Sequence, residues 1–320
     1  TGILIMTQLR FGIDLGGTKI EIIGLLVQDE TSGTNTSEII YQKRIDTPKG
    51  DYTATVLAIR NLVLDAENTL NSSSKYSANI NLPGLGGVGI LGSISSKTSR
   101  VKNANSVCLI GEDLQGDLEK TLNRPVKLAN DANCFALSEA TDGSAQGEDI
   151  VFGVIIGTGC GGGIVVNGQI LNGVNAIGGE WGHNPLPWIA DTDIAMDCYC
   201  GLQGCNETFL SGSGLQKHFN QRTQQSLTVQ EIVALAAKGD KAAQQQMNDY
   251  TTWLAKGLAS VINVIDPDVI VLGGGMSNIE SLYTDVPKVW QNWVFSDEVK
   301  TKLVSPKYGD ASGVRGTAWL

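Results

Sequence analysis

Positive charge is scarce in this sequence. Lys and Arg number 23 against 33 Asp and Glu, which gives a net charge of −10 over 320 residues. Binding along a phosphate backbone needs a surplus of Lys and Arg, so nucleic acid is not an expected partner. Acidity does not exclude a phosphorylated ligand, because a few backbone N–H groups and one metal ion suffice to hold it. Long apolar runs are also missing. None approaches the ~20 residues that cross a bilayer, so no membrane partner is expected. The opening Thr-Gly-Ile-Leu-Ile-Met is too short for a signal peptide and has no basic n-region. A cytoplasmic protein is the expectation. Histidine occurs only twice, at His183 and His218, and no low-complexity segment or Pro-rich linker divides the chain.

What the chain has in excess is glycine: 39 residues, about 12 % against an average near 7 %. They are clustered, as tight turns or close backbone approach to a ligand require. With 42 % hydrophobic and 18 % charged residues a sizeable core is available, and the length suits two domains of roughly 150 residues. Residues 9–15 and 20–27 read as strands joined by the turn Gly16-Gly17-Thr18-Lys19, with 39–45 as a third. Residues 52–70 have helical spacing and 71–76 read as a serine-rich loop. A short strand, 126–129, runs into Asn130-Asp131 and a helix to about 140. A second hairpin, 150–156 and 163–166, surrounds Gly157-Thr158-Gly159-Cys160-Gly161-Gly162. A long helix from about Ala243 closes at Asp266-Pro267, and the strand 269–272 ends in Gly273-Gly274-Gly275. The two halves thus repeat one plan. The expected division is an N-terminal lobe, 1–125, and a C-terminal lobe, 126–305, with a helix in 306–320 returning to the first. A ligand cleft is expected between them.

Four constellations bear chemistry. In Asp14-Leu15-Gly16-Gly17-Thr18-Lys19, glycine backbone N–H groups can face an anion while Thr18 and Lys19 add donors; a plain hairpin turn with Asp14 as an Asx residue is the alternative. Thr158 and Gly159 sit in a second such turn, and a pair in equivalent positions suits phosphates gripped from both lobes better than a glycine-rich sheet corner. Gly273-Gly274-Gly275 would give adenine and ribose a flat surface. Asn130-Asp131 reads either as a helix N-cap or as a carboxylate that takes a proton from a substrate hydroxyl.

The sharpest signal is Gly179-Glu180-Trp181-Gly182-His183 followed by Cys198-Tyr199-Cys200 and Gly204-Cys205-Asn206-Glu207. Three of the six cysteines fall within eight residues. In a reducing compartment this favours metal over disulfide, and cysteines one residue apart rarely bridge. His183, Cys198, Cys200 and Cys205 make the donor set of a structural, tetrahedral zinc site. Such a metal would order a loop that also holds Glu180 and Glu207, whose carboxylates would bind sugar hydroxyls or only steady the ligands. Cys108, Cys134 and Cys160 read as small buried residues and His218 as a surface residue.

Asp14-Leu-Gly-Gly-Thr-Lys19, Asn130-Asp131, Gly157-Thr-Gly-Cys-Gly161, Glu180-x-x-His183 and Cys198-x-Cys-Gly-x-x-Gly-Cys205-x-Glu207 together resemble the ROK family, from Arg10 onward. Val101-Lys-Asn-Ala-Asn-Ser106, Gly179-Glu-Trp-Gly-His-Asn-Pro-Leu-Pro-Trp188 and Ser312-Gly-Val-Arg-Gly316 look most like its bacterial fructokinases. The resemblance implies an α/β, actin-like ATPase fold of two ribonuclease-H-like lobes with mixed β-sheets and a central cleft, and a homodimer. It implies MgATP-dependent phosphorylation of a hexose at its 6-hydroxyl, with Asp131 as the catalytic base. Asn130, Glu180, His183 and Glu207 would contact the sugar, with Asn105 and Gly92 as further contacts. His183 would use one ring nitrogen for sugar and the other for Zn²⁺. Asp14 would position Mg²⁺, while Gly16, Gly17, Thr18, Lys19, Thr158 and Gly159 would hold the phosphates of ATP. The chain departs from the family at Leu91, where proline is usual, and at Ser99, where glycine is common. Fructose is the first expected substrate, ahead of mannose, glucose and N-acetylated hexosamines. A sugar-sensing repressor of the family would carry a helix-turn-helix for which about ten residues before the first strand leave no room. Chaperone and cytoskeletal ATPases of the wider fold are longer and have no use for the zinc loop.

Overall fold

In a computed structural model of the chain, residues 6–29, 35–73, 85–104 and 106–320 are described. Alternation of apolar and small or polar residues makes β1 (Met6–Leu15), in which Leu9, Phe11, Ile13 and Leu15 are buried. It turns back into β2 (Lys19–Asp29) and then β3 (Asn35–Asp46), both antiparallel. Helix α1 (Tyr52–Asn71) starts at Asp51, whose carboxylate accepts from Ala54 N at 2.9 Å. β4 (Leu85–Ile90) runs parallel to β1, followed by the short pair β5 (Ser93–Ile94) and β6 (Val101–Lys102). Helix α2 (Leu114–Leu122) leads to β7 (Lys127–Asn130), which pairs parallel with β4. The first sheet therefore has the order β3-β2-β1-β4-β7. Its last strand lies beyond residue 125, so a cut there would divide the sheet.

Helix α3 (Asp131–Thr141) crosses to the second sheet. There β8 (Ile150–Ile156), β9 (Cys160–Val166) and β10 (Gln169–Ile170) form antiparallel pairs. Helices α4 (Asn206–Leu210), α5 (Gly212–Thr223), α6 (Val229–Ala237) and α7 (Lys241–Ile265) follow. Then come β11 (Val269–Gly273), α8 (Ser281–Trp290), β12 (Lys302–Val304) and α9 (Ser312–Trp319). β11 is parallel to β8 and β12, giving the order β10-β9-β8-β11-β12. The repeat read from the glycine turns is thus a repeat of sheet topology: a meander of three antiparallel strands extended by two parallel ones.

β9 begins three residues before the expected start at Gly163. Gly161, Gly162 and Gly163 pair with Ile155, Val154 and Gly153, so they are strand and not turn. Their lack of a side chain serves packing: a Cβ at Gly163 would lie 2.6 Å from Ala132 O, and one at Gly162 2.8 Å from Gly179 O. Trp181, Phe209, Tyr250, Leu254 and Leu258 fill the core between the second sheet and its helices. Helix α9 packs Val314 and Ala318 against Ile23, Leu25 and Val27 of β2. It also touches α3, so the two helices join the sheets. Residues 74–76 of the expected serine-rich loop lie outside the described residues.

Candidate active site

Asp14 lies one residue from the end of β1, opposite Glu21 of β2 and beside Gly89 of β4. Asp131 is the first residue of α3, directly after β7. The two possible roles of the Asn130-Asp131 pair fall on different residues. Asn130 is the cap, its side chain accepting from Asn133 N at 2.8 Å. Asp131 Oδ1 accepts from the adjacent Ala132 N, at 2.9 Å. Asp14 and Asp131 line one cavity of about 200 Å³, with Leu91, Cys134, Gly274 and Thr317. Burial, reinforced by the Asp131 and Glu21 carboxylates, pushes the Asp14 carboxyl up to about 6. Burial also raises that of Asp131, opposed by the Ala132 N–H and aided by Glu180. Such a cluster of desolvated carboxylates suits a divalent cation, and burial makes Asp131 a stronger base than a solvated carboxylate.

The two glycine turns follow the ends of β1 and β8, whose Asp14 and Ile155 line the cavity. In the first, Gly16 N donates to Lys19 O at 3.0 Å, and Thr47 fixes it through Thr18 O and Gly16 O. Gly17, Thr18 and Lys19 are exposed. In the second, Gly157 N donates to Gly159 O at 3.0 Å, leaving Thr158 exposed at the tip. The glycine triplet is different. A Cβ on Gly273 would lie 2.6 Å from the Phe135 ring, and Gly274 has φ +78°, where a Cβ would lie 2.5 Å from Ile156 O. Packing demands these two glycines, while only Gly275 faces open space.

The His183 loop is folded onto β9. Trp181 Nε1 donates to Gly161 O at 3.0 Å, and Asn206 Nδ2 to Trp181 O at 3.0 Å. His183, Cys198, Cys200 and Cys205 bring their ligand atoms within 4.8 Å of one another. His183 Nδ1 is 3.5 Å from Cys198 Sγ, and Cys200 Sγ is 3.6 Å from Cys205 Sγ. Zinc bonds of ~2.3 Å to sulfur and ~2.0 Å to nitrogen give tetrahedral edges of about 3.5–3.8 Å. The residues therefore fit the ion, and the 3.6 Å sulfur separation is no disulfide. Glu207 joins this loop to the second glycine turn. Its N–H donates to Gly182 O at 2.8 Å, and its Oε2 accepts from Cys160 N at 3.0 Å. Glu180 is exposed on the same loop.

Several expectations change. His218 is 6 % exposed, stacked on Phe209 at 4.8 Å and tilted on Trp253 at 4.7 Å, so it is a core residue and not a surface one. Cys108 is half-buried, whereas Cys134 and Cys160 are buried. One ring nitrogen of His183 is expected to meet sugar; the one turned away from Cys198, Nε2, lies 2.9 Å from the Tyr199 hydroxyl. Gly92 sits close over Ala104, with room for no side chain. Asn105 lies outside the described residues. Ser99 has φ +57°, a conformation that explains why glycine suits this position. Sequence reasoning did not find Thr317, which reaches the cavity from the far end of the chain; no local pattern signals it.

The model of the ROK family matches residues 10–320. The chain belongs to the ROK family. It is 38 % identical over 315 residues to the N-acetyl-D-glucosamine kinase of Photobacterium profundum, covering 97 % of this chain and 98 % of that protein. The N-acetyl-D-glucosamine kinase of Yersinia enterocolitica (serotype O:8 / biotype 1B) is likewise 38 % identical, over 318 residues, with the same coverage. Among solved ROK structures, the hexokinase from Thermus thermophilus superimposes with a TM-score of 0.80 at 28 % identity over 97 % of each chain. The ROK glucokinase from Streptomyces griseus, solved with glucose and AMPPNP, gives 0.67 at 26 % identity, over 97 % of this chain and 98 % of that one. The fold is accordingly the actin-like ATPase fold of ROK proteins, α/β with mixed sheets.

Proposed function

We propose that this ROK sugar kinase transfers the γ-phosphoryl group of ATP to the 6-hydroxyl of N-acetyl-D-glucosamine. The observation that supports this substrate is the likeness at 38 % identity, along nearly the whole chain, to N-acetyl-D-glucosamine kinases. Fructose, expected first from the subgroup resemblance, has no such support among these relatives. The hexosamine held as an alternative takes its place.

In this reading the sugar lies beside the His183 loop and presents its 6-hydroxyl to Asp131. One Asp131 oxygen is held by Ala132 N, which leaves the other to take the hydroxyl proton while the sugar 6-oxygen attacks the γ-phosphorus and its bond to ADP breaks. Asn130, capping α3, holds the end of β7 in place for this contact. Glu180 and Glu207 accept from sugar hydroxyls, Glu207 with the oxygen that Cys160 N does not occupy. The N–H groups and hydroxyls of the turns at Gly16–Thr18 and Gly157–Gly159 bind phosphate oxygens. When bound, Mg²⁺ at Asp14 offsets charge on the phosphates, and Zn²⁺ on His183, Cys198, Cys200 and Cys205 orders the sugar loop. A homodimer is part of the same proposal. Trp188 and Trp293 stack at 6.3 Å, and Trp188, Ile189 and Phe295 are exposed, an apolar surface that a second copy would cover.

The deciding experiment is ADP release with MgATP against N-acetyl-D-glucosamine, N-acetyl-D-mannosamine, glucose, mannose and fructose. N-acetyl-D-glucosamine should give the highest kcat/KM. Preference for fructose would overturn the substrate, and ADP release with none of them would overturn the kinase reading.

A further inference from the structure

Tyr199 stands between two of the clustered cysteines, Cys198 and Cys200, and is 83 % exposed. Its ring meets that of His183 edge-on, with centroids 5.0 Å apart and planes at 87°. Its hydroxyl lies 2.9 Å from His183 Nε2. The other ring nitrogen, Nδ1, faces Cys198 Sγ at 3.5 Å and the rest of the ligand cluster. With Nδ1 given to the cluster, Nε2 carries the proton and donates to the phenol oxygen. His183 therefore has one polar atom to offer a ligand, and a side chain of the same loop already takes it.

The surroundings show which way this contact can yield. His183 is held from behind: Trp181 is buried and bonded to β9, and Gly182 O accepts from Glu207 N. Tyr199 has little packing to hold its side chain, so rotation about its side-chain bonds costs far less than moving the imidazole. A phenol hydroxyl and a sugar hydroxyl offer the same acceptor to an N–H donor.

We infer that Tyr199 is a placeholder for the substrate: its hydroxyl occupies the position on His183 Nε2 that a sugar hydroxyl takes, and the sugar binds by displacing it. This inference rests on the proposed sugar site at His183. Every sugar pays for breaking the phenol contact, so only one that returns a well-aligned hydroxyl recovers the loss. Because that cost is common to all sugars, Tyr199 tunes affinity and not the ratio between sugars, without touching the reacting atoms.

The test is Tyr199→Phe, which keeps the ring and removes the hydroxyl. Titration calorimetry with N-acetyl-D-glucosamine and no nucleotide should show binding about two- to tenfold tighter than wild type, the range of one neutral hydrogen bond. The gain should appear in KM rather than in kcat. Because the chain has only two histidines, ¹⁵N-imidazole NMR offers an independent readout. The variant without sugar should shift the His183 Nε2 resonance and leave His218 in place, and adding sugar to wild type should also move His183. Zinc content equal to wild type establishes that the loop is intact. Weaker or unchanged sugar binding by the variant, or an unmoved His183 resonance, overturns the placeholder while leaving the kinase reading standing. A wild-type protein that neither binds nor phosphorylates any hexose removes the kinase reading, and this inference with it.

Discussion

Gly316 of α9 crosses α3 directly over the backbone of Cys134, so closely that a Cβ at 316 would overlap the Cys134 carbonyl oxygen. Backbone atoms cannot swing aside as side chains do, so a methyl group here forces the helices apart. Gly316→Ala should destabilise the protein by about 3 kcal/mol, the upper range of overpacking, as measured by urea unfolding. Gly313, on the same helix, would meet nothing within 4 Å. Gly313→Ala should be neutral or slightly stabilising, and equal losses at both positions would contradict the close crossing.

Asp131 is positioned by the start of α3, and asparagine would retain the acceptor for Ala132 N. Asp131→Asn should therefore fold normally, lose about 10²- to 10⁴-fold in kcat, and bind sugar within a few-fold of wild type. Turnover near that of wild type would remove Asp131 as the base.

The ligand geometry at His183, Cys198, Cys200 and Cys205 predicts one zinc ion per chain by elemental mass spectrometry. Cys200 is exposed, so Cys200→Ser costs little in packing. Its effect should be loss of zinc and a lower melting temperature, the outcome expected where a bound ion orders a loop. Wild-type protein treated with a strong chelator should melt at the same lowered temperature. A chelator-insensitive melt would show that the loop folds without an ion.

Asp14 titrates at about 6 in the folded chain, above its ordinary 3.8. A carboxyl raised on folding is stabilised in its protonated form, so its ionisation costs stability above about pH 6. In EDTA at pH 7, Asp14→Asn should raise stability by about 2 kcal/mol. That gain should shrink as the pH falls through 6 toward 4. The same variant should lose kinase activity, since it no longer offers a carboxylate to the metal. A destabilised Asp14→Asn would show that the acidic cluster is not under strain.

His218 is shifted the other way, from its ordinary 6.5 to about 4, chiefly by burial. The unfolded chain binds this proton first, so the stability it contributes is complete above about 6.5 and is lost as the pH falls toward 4. The loss approaches roughly 1.4 kcal/mol per pH unit within that window. His218→Phe preserves the stack on Phe209 and should flatten the curve by that amount. Parallel curves for variant and wild type would place the pH dependence elsewhere.

The parts of the fold visible in the chain were those governed by neighbours in sequence. The apolar run of β8, the three- and four-residue spacing of α7, and the Asp266-Pro267 stop each reflect local backbone geometry. The His183 and cysteine cluster was legible for a related reason: three of its ligands lie in one short loop. The roles of individual glycines were not. Gly16 and Gly157 look the same in sequence as Gly163 and Gly273, yet the first two make turns while the others make room for Ala132 and Phe135. His218 sits among polar residues and reads as exposed, but its helix turns it onto Phe209 and Trp253, the latter far away in the chain. The buried network behind the cleft was equally silent. Glu139 accepts from Ser144, Lys307 and Ser312, while Arg315 pairs with Asp142 at 2.6 Å. Those partners are up to 173 residues apart.

The sequence by itself determined the two glycine-turn hairpins, the long helix α7, the duplicated plan and the grouping of His183 with three cysteines, because periodicity and short-range spacing act within a few residues. Tertiary structure alone decided that Asp14 and Asp131 share one desolvated cavity, that Tyr199 rather than open solvent meets His183, and that α9 closes the molecule over Cys134. Each of these depends on which surfaces come into contact, and contact across a hundred residues is set by packing, on which local propensity has no hold.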